Sequence, residues 1–182
     1  MTEPRLTPAP PPYTPAIEKT LAELMPPGVE PLKLFRTLAH NPRVLERFFA
    51  GGLLDKGSIS LRERELAILR TTARCGSEYE WGVHVAFFSA RAGLTPDEVR
   101  ATCAPKLPAG VFGEHDSALV ALCDSLHDRA DVDDALWRRV AAEFSAAQIV
   151  ELVVLAGFYH TVSFATNALR IELEAGAPRF PA

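Results

Sequence analysis

From Thr14 onward, apolar residues recur at three- and four-residue spacing, and no stretch shows convincing two-residue alternation. The pattern predicts helices throughout. Thr14 caps a first helix that Pro15 opens and that runs over about 15–25, where the MPPG sequence breaks it. A short helix follows near 31–39, and Pro42 opens another that ends at Gly51-Gly52. Ser60 with Glu63 three positions on has the form of a capping box and predicts a helix over 61–74. Cys75-Gly76 is a turn, Ser77 starts a helix over about 77–92, and Gly93 stops it. Thr95 starts a further helix, APKLPAG is loop, and helices near 114–129 and 132–143 follow. Ser145 caps a long closing helix over about 146–172, and the tail GAPRFPA is coil anchored by Phe180. Residues 1–14 are dense in proline and predict an extended or mobile arm. The expectation is an all-α chain, with that arm leading into a single helical domain over 15–182.

Composition excludes several classes. With 182 residues, 48% of them hydrophobic, the chain buries a core without staples. A net charge of -4 leaves no basic excess to displace counterions, so nucleic acid is not an expected partner. Cys75, Cys103 and Cys123 are odd in number and widely spaced, with no CxxC, which matches neither a disulfide framework nor a zinc signature. Such cysteine usage fits a reducing cytoplasm. The N-terminus lacks the apolar core of a signal peptide, and the apolar run 149–158 contains Glu151 and is short for a bilayer. A cytoplasmic protein without membrane contact is expected.

The chemistry concentrates in SEYEWGVH, residues 77–84. At about 100° per residue, Ser77, Glu80, His84 and Arg91 fall within about 60° of one another, flanked by Trp81, Phe87 and Phe88. Polar groups thus occupy the middle of an apolar stripe. Burying a lone carboxylate is costly, and a Glu80–His84 pair at four-residue spacing lowers that cost. The same pair can hold a proton for transfer near neutral pH, or can be a structural ion pair. On the preceding helix Glu65 sits between Leu61 and Leu69 on the inward face, with Arg64, Arg70 or Arg91 as possible partners. His160 follows Tyr159 among apolar residues and reads as a satisfied core or interface histidine. Asn167 lies seven residues later on the same face and is a candidate to reach the pocket. His115 and His127 sit among acidic groups and read as solvated, His40 lies in a turn, and Trp81, Phe87 and Phe88 read as core. Neither HExxH nor paired ExxH elements occur, so no metal is expected; a Glu65–Glu80–His84 ligand set is the weak alternative.

The stretch LRERELAILRTTARCGSEYEWGVHVAFFSARAGLTPDEV resembles the core of the carboxymuconolactone decarboxylase family, which includes the alkylhydroperoxidase AhpD-like proteins. SAAQIVELVVLAGFYHTVSFATNALRIELE resembles the family's closing helix, so the resemblance covers most of residues 30–175. It implies an AhpD-like helical domain and homo-oligomers, trimers or hexamers, with pockets near subunit contacts. Members of the peroxidase branch carry CxxC, with the histidine four residues after the second cysteine. Ser77 and Glu80 occupy those positions here, and neither can attack a peroxide or close a disulfide. Alkylhydroperoxidase activity is therefore disfavoured. The decarboxylase branch places a glutamate four residues before the histidine, as Glu80 stands to His84. The resemblance implies a cofactor-free decarboxylation or proton transfer on a small carboxylated lactone or related cyclic acid. His84 is then the general acid or base, Glu80 its orienting partner and Glu65 a further proton-handling carboxylate. Arg91, Ser77, Trp81, Phe88 and Asn167 are candidates for substrate binding, Arg91 by its wheel position. The alternative is a family member that binds a small molecule, or serves structurally, without chemistry.

Overall fold

A computed structural model describes residues 3–26 and 28–181, apart from the side chain of Phe49. Nine helices form among the described residues: α1 Pro15–Leu24, α2 Lys33–Leu38, α3 Pro42–Ala50, α4 Leu61–Arg74, α5 Glu78–Phe88, α6 Pro96–Ala101, α7 Glu114–Arg129, α8 Asp134–Glu143 and α9 Ala146–Ala168. Caps expected from the sequence set several starts. Thr14 accepts from the Ile17 N–H, and Ser60, Thr95 and Ser145 each close a capping box.

Helix α4 lies at the centre and packs on α5, α7 and α9. Leu66, Ala67, Ile68 and Leu69 are wholly buried on successive positions, so α4 is enclosed rather than one-sided. Each large aliphatic side chain among them contributes about 1.5–3 kcal/mol on burial. Arg70 is also buried. Its guanidinium donates twice to Asp124 (2.6 and 2.8 Å) and to the Thr102 and Ala104 carbonyls (2.9 and 2.7 Å). Those partners compensate its desolvation and tie α4 to α7 and to the end of α6.

Two helices end earlier than expected. Helix α5 stops at Phe88, and residues 89–93 form a turn that closes at Gly93, φ +67°. Helix α9 stops at Ala168 because Arg170 turns left-handed (φ 51°), returning the Ile171 N–H to the Thr166 carbonyl. No glycine marked that stop. By length and composition α9 can cross a bilayer: 23 residues with a most apolar window of hydropathy 1.5. The run 149–158 alone understated it. Here 44% of that window is buried, with Leu152, Leu155 and Tyr159 in the core.

The two termini cover the helices. The arm is extended along its own chain, with the Arg5 N–H on the Leu169 carbonyl (3.1 Å) and the Ala9 N–H on that of Arg36 (3.0 Å). At the other end Phe180 packs on Trp81, ring centroids 5.3 Å apart, and its N–H donates to Glu78 (2.9 Å).

Candidate active site

Three helices deliver four polar side chains to one buried point. Glu65 comes from α4, Glu80 and His84 from adjacent turns of α5, and Tyr159 from α9. The His84 Nδ1 is 2.7 Å from Glu65 Oε2. Its Nε2 is 3.0 Å from the Tyr159 hydroxyl and 3.3 Å from Glu80 Oε1. Arg64 donates to the other Glu65 oxygen (2.9 Å) and to the Leu54 carbonyl (2.7 Å). Glu65 is fully buried and His84 is 3% exposed.

Burial favours the neutral imidazole, but hydrogen bonds and charge from Glu65 and Glu80 outweigh it and raise the His84 pKa to about 9. Near neutrality the ring is an imidazolium held between two carboxyl groups. Burial, then the Glu80 and Glu65 charges, push the Tyr159 hydroxyl well above the ordinary phenol range, so it remains a neutral donor or acceptor.

Beside this cluster lies a cavity of about 520 Å³. Its wall is mainly apolar, with Leu34, Phe35, Phe48, Leu53, Phe158 and Val162 among its residues. Glu80, Tyr159 and Asp55 add polar groups. Glu80 Oε2 is buried and has no hydrogen-bond partner among the described residues. Buried polar atoms are almost always partnered, so this oxygen is an unsatisfied acceptor on a residue that also lines the cavity. His84 and Glu65 do not line the cavity; they stand behind Glu80 and Tyr159.

The other candidates fall elsewhere. The Ser77 hydroxyl bonds that of Thr166 (2.8 Å) inside the core. Trp81 is buried beneath Phe180, with its N–H on the Thr102 hydroxyl (3.0 Å). Phe88 packs on the far side of His84, ring centroids 5.2 Å apart, and Phe87 is 47% exposed rather than core. Arg91 is exposed, because α5 ends before it and the 100° rotation no longer applies. Its guanidinium lies 5.8 Å from the Phe88 ring. Asn167 is exposed and donates to the Cys75 carbonyl (2.9 Å). His115 and His127 are not simply solvated. His115 bridges Glu63 (2.8 Å) and Glu143 (3.3 Å), and His127 contacts His160 (3.1 Å). Tyr159 is the site residue the sequence reading missed. Its signal was present: it continues the buried spacing of Leu152, Leu155 and Val162, and a buried tyrosine hydroxyl needs a partner.

Fold and site define the class: an all-helical protein of the AhpD-like fold with a carboxylate–imidazole–carboxylate cluster at a cavity. The model of the Carboxymuconolactone decarboxylase family matches residues 42–122, the segment from α3 into α7. Among solved structures, an uncharacterized peroxidase-related protein from Silicibacter sp. TM1040 superposes with a TM-score of 0.82 at 16% identity over 100% of both chains. A second, an alkylhydroperoxidase AhpD core protein from Ralstonia eutropha JMP134, gives 0.81 at 18% identity, covering 96% of this chain and 95% of that one. The debrominase Bmp8 gives 0.73 at 16% identity, covering 93% and 92%. A C-to-A variant of that debrominase is known in complex with 2,3,4-tribromopyrrole. No curated protein matches the chain in sequence.

Proposed function

We propose that this chain is a proton-transfer enzyme acting on a small cyclic substrate, and that it works as a homo-oligomer. The observation that carries the reading is Glu80, a buried carboxyl that lines an apolar cavity and is backed through Oε1 by His84. In this mechanism the Glu80 carboxylate takes a proton from one substrate carbon and returns it to another, while the His84 imidazolium stabilises its charge; where a proton must be supplied, the Nε2–H gives it through Glu80. Glu65 fixes the ring through Nδ1 and stabilises its charge, as an orienting carboxylate does for a catalytic imidazole. The Tyr159 hydroxyl supplies a neutral donor for charge that develops on a ring carbonyl. A decarboxylation fits the same parts: electrons left by departing carbon dioxide delocalise onto the carbonyl, and the returning proton comes through Glu80.

Of the two substrate features expected, ring and carboxylate, the wall supports the ring more directly. Its apolar side chains suit a flat ring, as does the brominated pyrrole bound by the debrominase relative. Among the described residues it holds two carboxyl groups, Glu80 and Asp55, and no basic side chain, and Arg64 is committed to Glu65 and Leu54. A neutral ring acid therefore fits better than a free carboxylate. Peroxidase chemistry remains disfavoured, since Ser77 is hydrogen-bonded in the core and Glu80 carries no thiol. The second reading is ligand binding without chemistry. It is favoured by the His84 ring, both of whose nitrogens already have partners within the chain.

Solvent-deuterium incorporation separates the two. Carboxylated lactones, neutral lactones and halogenated pyrroles are incubated with the protein in heavy water and followed by NMR. The enzyme reading predicts exchange on at least one ring. It also predicts losses of about 10²–10⁴-fold in Glu80→Gln and His84→Ala. Undiminished exchange in His84→Ala contradicts the assignment, and binding without exchange on every ring supports the silent reading.

A further inference from the structure

Cys75, His127 and His160 meet away from the cavity. Cys75 is the C-cap of α4, His127 lies in the last turn of α7, and His160 lies within α9. The Cys75 Sγ is 3.6 Å from His127 Nδ1, and that nitrogen is 3.1 Å from His160 Nε2. One donor atom from each residue lies within 4.8 Å of the other two, and all three side chains are half-buried. Around tetrahedral zinc, bonds of about 2.3 Å to sulfur and about 2.0 Å to nitrogen place S···N near ~3.6 Å and N···N near ~3.3 Å. Two edges of that tetrahedron already have nearly these lengths.

The surroundings orient the donors. The His160 Nδ1 is 2.8 Å from the Ala156 carbonyl one turn back, which puts the proton on Nδ1 and leaves the Nε2 lone pair facing the cluster. The Cys75 N–H donates to the Thr71 carbonyl (3.0 Å), and its own carbonyl accepts from Asn167 (2.9 Å), so its backbone is held at both ends. This also gives Asn167 a role the cavity does not.

We propose that Cys75, His127 and His160 bind one divalent ion of the zinc class, with water in the fourth position, joining α4, α7 and α9. On binding, the Cys75 S–H bond gives its proton to solvent and the thiolate sulfur bonds the ion, with no change of oxidation state. The ligands come from three helices, so no short-range motif announces the site.

The test is titration of the full chain, first stripped with chelator, with Co²⁺ and then Zn²⁺. The proposal predicts one ion per chain, a thiolate-to-cobalt charge-transfer band in the near ultraviolet, and the strong visible bands of tetrahedral cobalt. Zinc displaces the cobalt, protects Cys75 from iodoacetamide and raises Tm. Cys75→Ser loses the charge-transfer band, and His127→Gln and His160→Gln each weaken zinc binding by at least about tenfold. Glu80→Gln binds as the parent does. Absence of the charge-transfer band in the unmodified chain overturns the proposal, as does its persistence in Cys75→Ser or its loss in Glu80→Gln. If the ligand variants fail to fold, the parent spectrum and the mapped protection of Cys75 still decide.

Discussion

A histidine is a poor choice for a fully buried position unless carboxylates surround it, and His84 has one at each end. That arrangement gives stability a pH dependence. The folded pKa of about 9 lies above the ordinary 6.5, so protonation favours the folded state. The contribution is fully present below pH 6.5 and is lost as pH rises through about 9. The Tm advantage of the parent over His84→Gln is therefore expected to narrow across that window; a constant advantage would mean the ring is neutral throughout. Glu65, Glu80 and His84 were legible in sequence because each is a polar residue on an apolar face, where something must compensate its burial. Arg91 was not placed correctly because its position assumed that α5 continued beyond Phe88.

At the scale of elements, helix starts were more legible than stops. Ser60, Thr95 and Ser145 announce starts through short-range hydrogen bonds that the local sequence encodes. Replacing Ser60 by alanine is expected to cost about 0.5–2 kcal/mol in denaturant unfolding, since it frees a donor at the head of the central helix. The stop of α9 depends on Arg170 in a left-handed conformation, which its residue type does not favour. The two-sided burial of α5 was also hidden. Its apolar residues run around the whole helix, so a wheel divides it where the structure does not. Tyr79 and Gly82, which the 100° rotation turns away from Glu80 and His84, are both buried. Gly82 lies under the C-terminal tail, and a Cβ there would collide with the Pro178 carbonyl. Gly82→Ala should lift the tail from Trp81, lowering stability by about 1–3 kcal/mol and changing tryptophan emission. Unchanged emission would show that the tail does not depend on this contact.

For the whole molecule, α9 joins the core and the surface. One side buries Leu152, Leu155 and Tyr159, while Val150, Val154 and Phe164 are 64%, 53% and 66% exposed. Such an apolar face suits the proposed homo-oligomer, and lysine at Val154 and Phe164 together is expected to lower the sedimenting mass. An unchanged mass would place the contact elsewhere. The cavity was the least legible feature, because its wall joins Leu24 and the stretch from α2 to Asp55 to Glu80 of α5 and to the middle of α9, which lie far along the sequence from it. Behind that wall an imidazolium stands between Glu65 and Glu80, and ¹⁵N NMR of the His84 ring reads its protonation state. Two protonated ring nitrogens are expected at pH 7.5, with a transition near pH 9 and a lower transition in Glu65→Gln. A ring already neutral at pH 7.5, with a titration that Glu65→Gln leaves unmoved, would contradict that charge state.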